Sequence, residues 1–153
     1  MPKIEVSEVI ERPVEEVWTY LTDPDAMPEW VASTRSVEFL TEGGMRKGAR
    51  IREVSRFLGR SIESVNEVVE HEPPNCYRLQ GLEGPFESSV EFDLQPAGDS
   101  TRVTVKVEAE QGLGGVFGKL LDPVVTAAFR RESQSDLARL KDILEAQAAE
   151  EAS

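Results

Sequence analysis

A chain of 153 residues is the size of one domain and can bury roughly 70% of its unfolded surface without help from metals or disulfides. Seventeen basic residues against 29 acidic ones give a formal charge of −12, which repels phosphate backbones and argues against a nucleic-acid partner. The single cysteine, Cys76, excludes an internal disulfide and a thiolate metal cluster and suits a reducing compartment.

The first residues, Met1-Pro2-Lys3-Ile4-Glu5-Val6, alternate and carry acids, unlike the apolar run of a secretory signal. No segment approaches the ~18 continuous apolar residues of a membrane span, so neither membrane insertion nor export is expected, and the cytoplasm is the expected location. Ile4, Val6, Glu8 and Ile10 share one face of a first strand by their period of two. Pro13 then opens a helix, with Val14, Val17, Trp18 and Leu21 at helical spacing and Glu15 and Glu16 in the first turn, where carboxylates favour the helix dipole. Asp23-Pro24 repeats a cap-plus-proline signature and predicts a second short helix running towards Trp30.

Six strands are expected next. Val37 and Phe39 mark the second, with Gly43-Gly44 as its turn. Residues 49–58 form the third, Gly59 the hairpin, and 62–69 the fourth, which Pro73-Pro74 ends because proline cannot continue a central ladder. Residues 76–80 are the fifth. In the sixth, Phe86, Ser88, Val90, Phe92 and Leu94 oppose Glu87, Ser89, Glu91, Asp93 and Gln95. Pro96-Ala97-Gly98-Asp99 turns into the seventh, where Val103, Val105 and Val107 oppose Thr104, Lys106 and Glu108. Such alternation belongs to an antiparallel sheet with one wet face. The basic cluster Arg46, Lys47, Arg50, Arg52, Arg56 and Arg60 falls largely on that solvated face.

Gly112, Gly114, Gly115 and Gly118 make a loose connection carrying Leu113, Val116 and Phe117. No Gly-Lys-Ser/Thr follows, so this reads as a flap whose apolar residues can dip into a cavity and not as a phosphate loop. Asp122-Pro123 starts the main helix, whose inner stripe is Val125, Phe129, Ser133, Leu137, Leu140 and Leu144. One domain over residues 1–148 is expected, with 149–153 as an acidic tail.

Three segments together resemble the START-like (SRPBCC) helix-grip superfamily, which includes the birch-pollen-allergen fold and the polyketide cyclase/dehydrase-type proteins. They are Val17-Trp18-Thr19-Tyr20-Leu21-Thr22-Asp23-Pro24 with Trp30 beyond, Val68-Val69-Glu70-His71-Glu72-Pro73-Pro74 with Tyr77 and Leu79, and Arg130-Arg131-Glu132 leading to Leu137, Leu140 and Lys141. The resemblance implies an α+β fold: a curved seven-stranded antiparallel sheet wrapped around a long C-terminal helix, with two short helices after the first strand. It also implies a ligand cavity. It carries no universal catalytic motif, and fold alone does not name a function.

Strand alternation selects the side chains that face the helix. Ile51, Glu53, Ser55 and Phe57 point inward from the third strand, opposite Arg50, Arg52 and Arg56. In the fourth, Glu63, Glu67 and His71 alternate outward and leave Ile62, Ser64, Asn66, Val68 and Glu70 inside. The candidate ligand contacts are Trp30, Glu53, Phe57, Asn66, Tyr77, Phe86, Ser88, Phe129 and Ser133, an apolar lining with a few hydrogen-bonding groups. Glu53 stands out, since an unpaired carboxyl in an apolar cavity has a raised pKa and can move protons. His71 is the only histidine, so a two-histidine metal site and a histidine-based triad are excluded, and it is expected to be exposed. Trp18 is expected to anchor the first helix to the sheet.

The expected function is binding of a small hydrophobic molecule (lipid, quinone or polyketide-like) between the sheet and the last helix, with no cofactor and no metal. Two alternatives stand beside it: a cyclase or dehydratase using Glu53 or Tyr77, and a non-catalytic module that docks a partner protein.

Overall fold

The computed structural model describes residues 3–57, 59–83, 88–109 and 123–152. Its strands are β1 (Lys3–Ile10), β2 (Thr34–Phe39), β3 (Arg50–Phe57), β4 (Arg60–Glu72), β5 (Cys76–Glu83), β6 (Ser88–Ala97) and β7 (Ser100–Ala109). Two short helices, α1 (Val14–Leu21) and α2 (Met27–Trp30), follow β1, and α3 (Pro123–Ala152) comes last. All seven strands form one antiparallel sheet in the order β1-β7-β6-β5-β4-β3-β2. The sheet curls as a half-barrel around α3, the helix-grip architecture that the sequence leads one to expect.

Hairpins from β2 to β7 explain the strand order, because a chain that turns back on itself pairs each strand with its predecessor. Two of the turns need a backbone that side chains disfavour: Gly59 (φ 79°) joins β3 to β4, and Gly98 (φ 65°) joins β6 to β7. Only β1 pairs out of sequence, lying beside β7 with Ile4 opposite Val107 and Val6 opposite Val105.

Most of the core lies at the β1–β7–β6 end. There Ile4, Val6, Ile10, Val103, Val105, Phe92 and Leu94 meet the predicted face of α1 (Val14, Val17, Trp18, Leu21) and the predicted stripe of α3 (Leu137, Leu140, Leu144). Each buried leucine of that stripe contributes about 1.5–3 kcal/mol of apolar burial. A smaller cluster, Ala49, Ile51 and Val68 with Val37, Phe39, Met45 and Leu79, packs at the β2–β4 end. α3 lies against β1 and α2.

Three expectations change. Asp23-Pro24 does not start the second helix: Asp23 instead accepts the Asp25 N–H in a local turn, and α2 begins at Met27, with Pro28 in its first turn. β4 runs from Arg60 to Glu72 and β5 to Glu83, both longer than the expected strands. Finally, the β4–β5 register slips between Val68 and Glu70, so Val69 is bulged and the alternation inverts beyond it. Glu70 consequently turns out to solvent, and His71 shares the inner face with Tyr77, opposite which it pairs. The expected flap at 112–118 lies outside the described residues, and the main helix is described from Pro123. Among the described residues no helix is long and apolar enough to cross a membrane.

Candidate functional site

Registry brings the polar residues of the inner face together. Glu53 on β3 sits opposite Ser64 on β4 and Val37 on β2, and one step along, Ile51 sits opposite Asn66, which in turn opposes Gly81. Glu53 is half-buried, and its Oε2 accepts a hydrogen bond from Thr34 Oγ1 at 3.0 Å. Burial pushes its pKa up, and the Thr34 bond offsets part of that rise because it favours the charged form.

Tyr77 is 1% exposed. Its ring stacks on Phe92 at 4.6 Å and meets the edge of Trp18 at 5.7 Å, geometries that aromatic quadrupoles prefer. Burial and then the Glu53 charge push the phenol pKa well above its ordinary value, so the hydroxyl keeps its proton at neutral pH. Glu53 and Tyr77 face the same side of the sheet, Glu53 from β3 and Tyr77 from β5. Trp18 anchors α1 as expected, and its ring also lies 5.7 Å from His71, which is half-buried instead of exposed for the reason given by the β4 bulge.

Trp30 is 2% exposed and meets Phe92 edge-on at 6.2 Å, so it belongs to the core and not to a mobile mouth. Its indole N–H is buried without a hydrogen-bond partner among the described residues. Asn66 and Ser133 are half-buried. Phe86 and the side chains of Phe57, Ser88 and Phe129 lie outside the described residues.

The sequence reading missed a row of contacts that ties α3 to the sheet edge. Three consecutive residues each donate to a carboxylate: the Ala32 N–H to Asp136 Oδ1 at 3.1 Å, the Ser33 hydroxyl to Glu132, and Thr34 Oγ1 to Glu53. Arg139 reinforces the row by donating to the Trp30 carbonyl at 2.9 Å and to Asp136 at 3.2 Å. Burial raises the pKa of Glu132 and Asp136, as it does that of Glu53. The available signal was the i,i+4 spacing of Glu132 and Asp136 on either side of the inner-stripe residue Ser133.

Elsewhere, the donor atoms of Glu70, Cys76 and Glu91 lie within 4.8 Å of one another on the outer face. Burial, followed by the surrounding carboxylates, pushes the Cys76 thiol up to about 11, which makes it a poor nucleophile or ligand at neutral pH. An open cleft of about 440 Å³ lies at the β3–β4 tip, lined by Arg35, Arg56, Gly59 and Ser61. Arg56 alternates to the strand face opposite Glu53, so this cleft is separate from the polar site.

A sheet curled about a terminal helix, with polar groups set into an otherwise apolar inner face, defines a helix-grip domain. The chain belongs to the family described as polyketide cyclase / dehydrase and lipid transport, whose model matches residues 1–145. Among solved structures it is similar to TTHA0849 from Thermus thermophilus (24% identity, TM-score 0.79, 95% of this chain and 99% of that one). It is also similar to the Zhui aromatase/cyclase from Streptomyces sp. R1128 (18% identity, TM-score 0.80, covering 95% and 94%). A third is the di-domain ARO/CYC BexL of the BE-7585A biosynthetic pathway (21% identity, TM-score 0.73), of which the match spans 47% and 95% of this chain. At these identities the likeness is one of fold. Among curated proteins no sequence matches.

Proposed function

We propose that the protein binds a small hydrophobic molecule (lipid, quinone or polyketide-like) between the inner face of the sheet and α3. The observation that carries this reading is Glu53: a half-buried carboxyl on an inner strand face, held by Thr34, with its pKa raised by burial. A purely structural core would place an apolar side chain there, because burying a carboxyl is costly. In a ligand site the same group orients its guest, while Phe92 and Leu79 supply apolar contact worth ~25 cal/mol per Å². The reading includes one binding domain over residues 1–148, an acidic tail at 149–153 and a cytoplasmic location, the last supported by the lone free thiol of Cys76. Titration with lipids, quinones and aromatic polyketides, followed by tryptophan fluorescence and melting temperature, tests it. Saturable quenching and a raised melting temperature with one class are expected; no response to any class rejects the reading.

A second reading, an enzyme that cyclises or dehydrates an enclosed polyketide, is favoured by the presence of Glu53 and Tyr77 on one inner face. As its carboxylate, a group of raised pKa can take a proton from a carbon acid, and as the resulting acid it can return that proton to a hydroxyl that leaves as water. The phenol, which stays protonated, can donate to the carbonyl oxygen on which charge develops. Under this reading Tyr77→Phe abolishes turnover of a poly-β-ketone substrate while ligand affinity and fold persist. Turnover unchanged in Tyr77→Phe would sink it.

A further inference from the structure

Resting on the ligand-binding reading, we infer that the interior selects neutral apolar molecules bearing a hydroxyl group and rejects organic anions such as acyl or aryl carboxylates. The placement of the positive charges comes first. Among the described strand residues, the inner face carries one arginine, Arg60, which is exposed at the β3–β4 tip. That is four residues along the β4 ladder from Ser64, the partner of Glu53.

Arg130 and Arg131 of α3 are exposed, and the other cations described near the interior are engaged. Arg12 donates to Glu16 at 2.7 Å and to the Leu144 carbonyl at 3.0 Å. Arg139 holds Asp136 and the Trp30 carbonyl, and Lys141 holds Glu145 at 2.6 Å and the Val9 carbonyl at 2.8 Å. His71 lies against Trp18 at the far side of Tyr77. The acids run the other way: Glu53 from the sheet and Glu132 and Asp136 from α3 converge on the same three-residue segment.

A guest carboxylate would therefore lose its hydration without gaining a counter-charge, and it would sit beside Glu53. A guest hydroxyl meets neither penalty. It donates to Glu53 as an anion or accepts from it as an acid, so it fits either protonation state. Tyr77 supplies a second polar group next to the stacked Phe92.

Matched naphthalenes test this by isothermal titration calorimetry at pH 7: 2-naphthol, 2-methoxynaphthalene and 2-naphthoate share one ring system and differ in donor and charge. The naphthol is expected to bind at least about tenfold more tightly than the naphthoate, with the methoxy compound between them. Glu53→Gln keeps the shape and removes the charge, so it should narrow the naphthol-to-naphthoate ratio several-fold. Binding of naphthoate as tight as that of naphthol in the native chain overturns the inference and leaves the ligand-binding reading intact, and this comparison needs no variant. A ratio unchanged in a folded Glu53→Gln also overturns it, as does methoxynaphthalene matching naphthol. If none of the three binds while a lipid or quinone does, the selection rule alone falls; if nothing binds at all, both readings fall.

Discussion

At the scale of single residues, Glu53 shows how a side chain's chemistry is set by its place in a register. Alternation from Ile51 to Phe57 put it inside, and the structure keeps it there with a pKa raised by burial. The consequence for stability has a definite sign. In the unfolded chain the carboxyl ionises in the ordinary range; in the folded chain it holds its proton to higher pH. Its contribution is thus complete below the unfolded value and is lost as pH rises through the folded one. Glu53→Gln removes this dependence while leaving an oxygen for Thr34 to donate to. Unfolding free energies from urea titrations should nearly coincide for native and variant chains in acid and separate towards neutral pH, with the variant the more stable. Parallel curves would show that Glu53 is solvated. Tyr77 was also legible from alternation alone. Trp30 was not, because a residue after a short helix has no periodicity to say whether it faces core or mouth; its burial against Phe92 comes from the tertiary fold.

At the scale of elements, the sequence pattern works wherever a strand is regular and fails at its irregularities. The β4 bulge is the instructive case. A single extra residue, Val69, inverts the face of everything after it, and nothing in Val68-Val69-Glu70 marks the spot. His71 and Glu70 were therefore assigned to opposite faces from those they occupy. Contacts between elements are equally silent in one dimension. The row that ties Ala32, Ser33 and Thr34 to Asp136, Glu132 and Glu53 spans about a hundred residues of chain on its helix side and nineteen on its sheet side. It holds α3 to the start of β2, so its strength should be measurable in both. Asp136→Ala leaves the Ala32 N–H without its acceptor and the Arg139 guanidinium with the Trp30 carbonyl alone, a loss of about 1–3 kcal/mol. Amide exchange at Ala32 should accelerate well beyond that in the β6–β7 hairpin, whose ladder is untouched. Uniform acceleration across both would mean the row is not a local tie but part of the global core.

At the scale of the molecule, the order of one strand, two short helices, six strands and one long helix was enough to give the fold, because hairpin-connected strands and a C-terminal amphipathic helix leave few ways to pack. The site is less legible, since ligand chemistry depends on which polar groups converge and on what charge surrounds them. The charge itself is plain in the composition: 29 acids against 17 bases leave a net −12. Some acids find partners, as in Arg52 with Glu38 at 3.1 Å and with Glu63 at 2.9 Å, or Lys106 with Glu5 and Glu91. These pairs are largely exposed and each contributes at most about 1 kcal/mol, often nothing. The uncompensated acids repel one another over distances comparable to the Debye length, which shrinks from about 30 Å at 0.01 M salt to about 10 Å at 0.1 M. Salt therefore weakens two opposing terms, and the larger is the repulsion. The melting temperature should rise by a few degrees between ~10 and ~300 mM NaCl, since about 1 kcal/mol corresponds to ~2–4 °C in a domain of this size. KCl should match NaCl, which separates screening from binding of a particular cation at an acidic cluster. A melting temperature that falls with added salt would mean instead that the exposed ion pairs outweigh the net negative field.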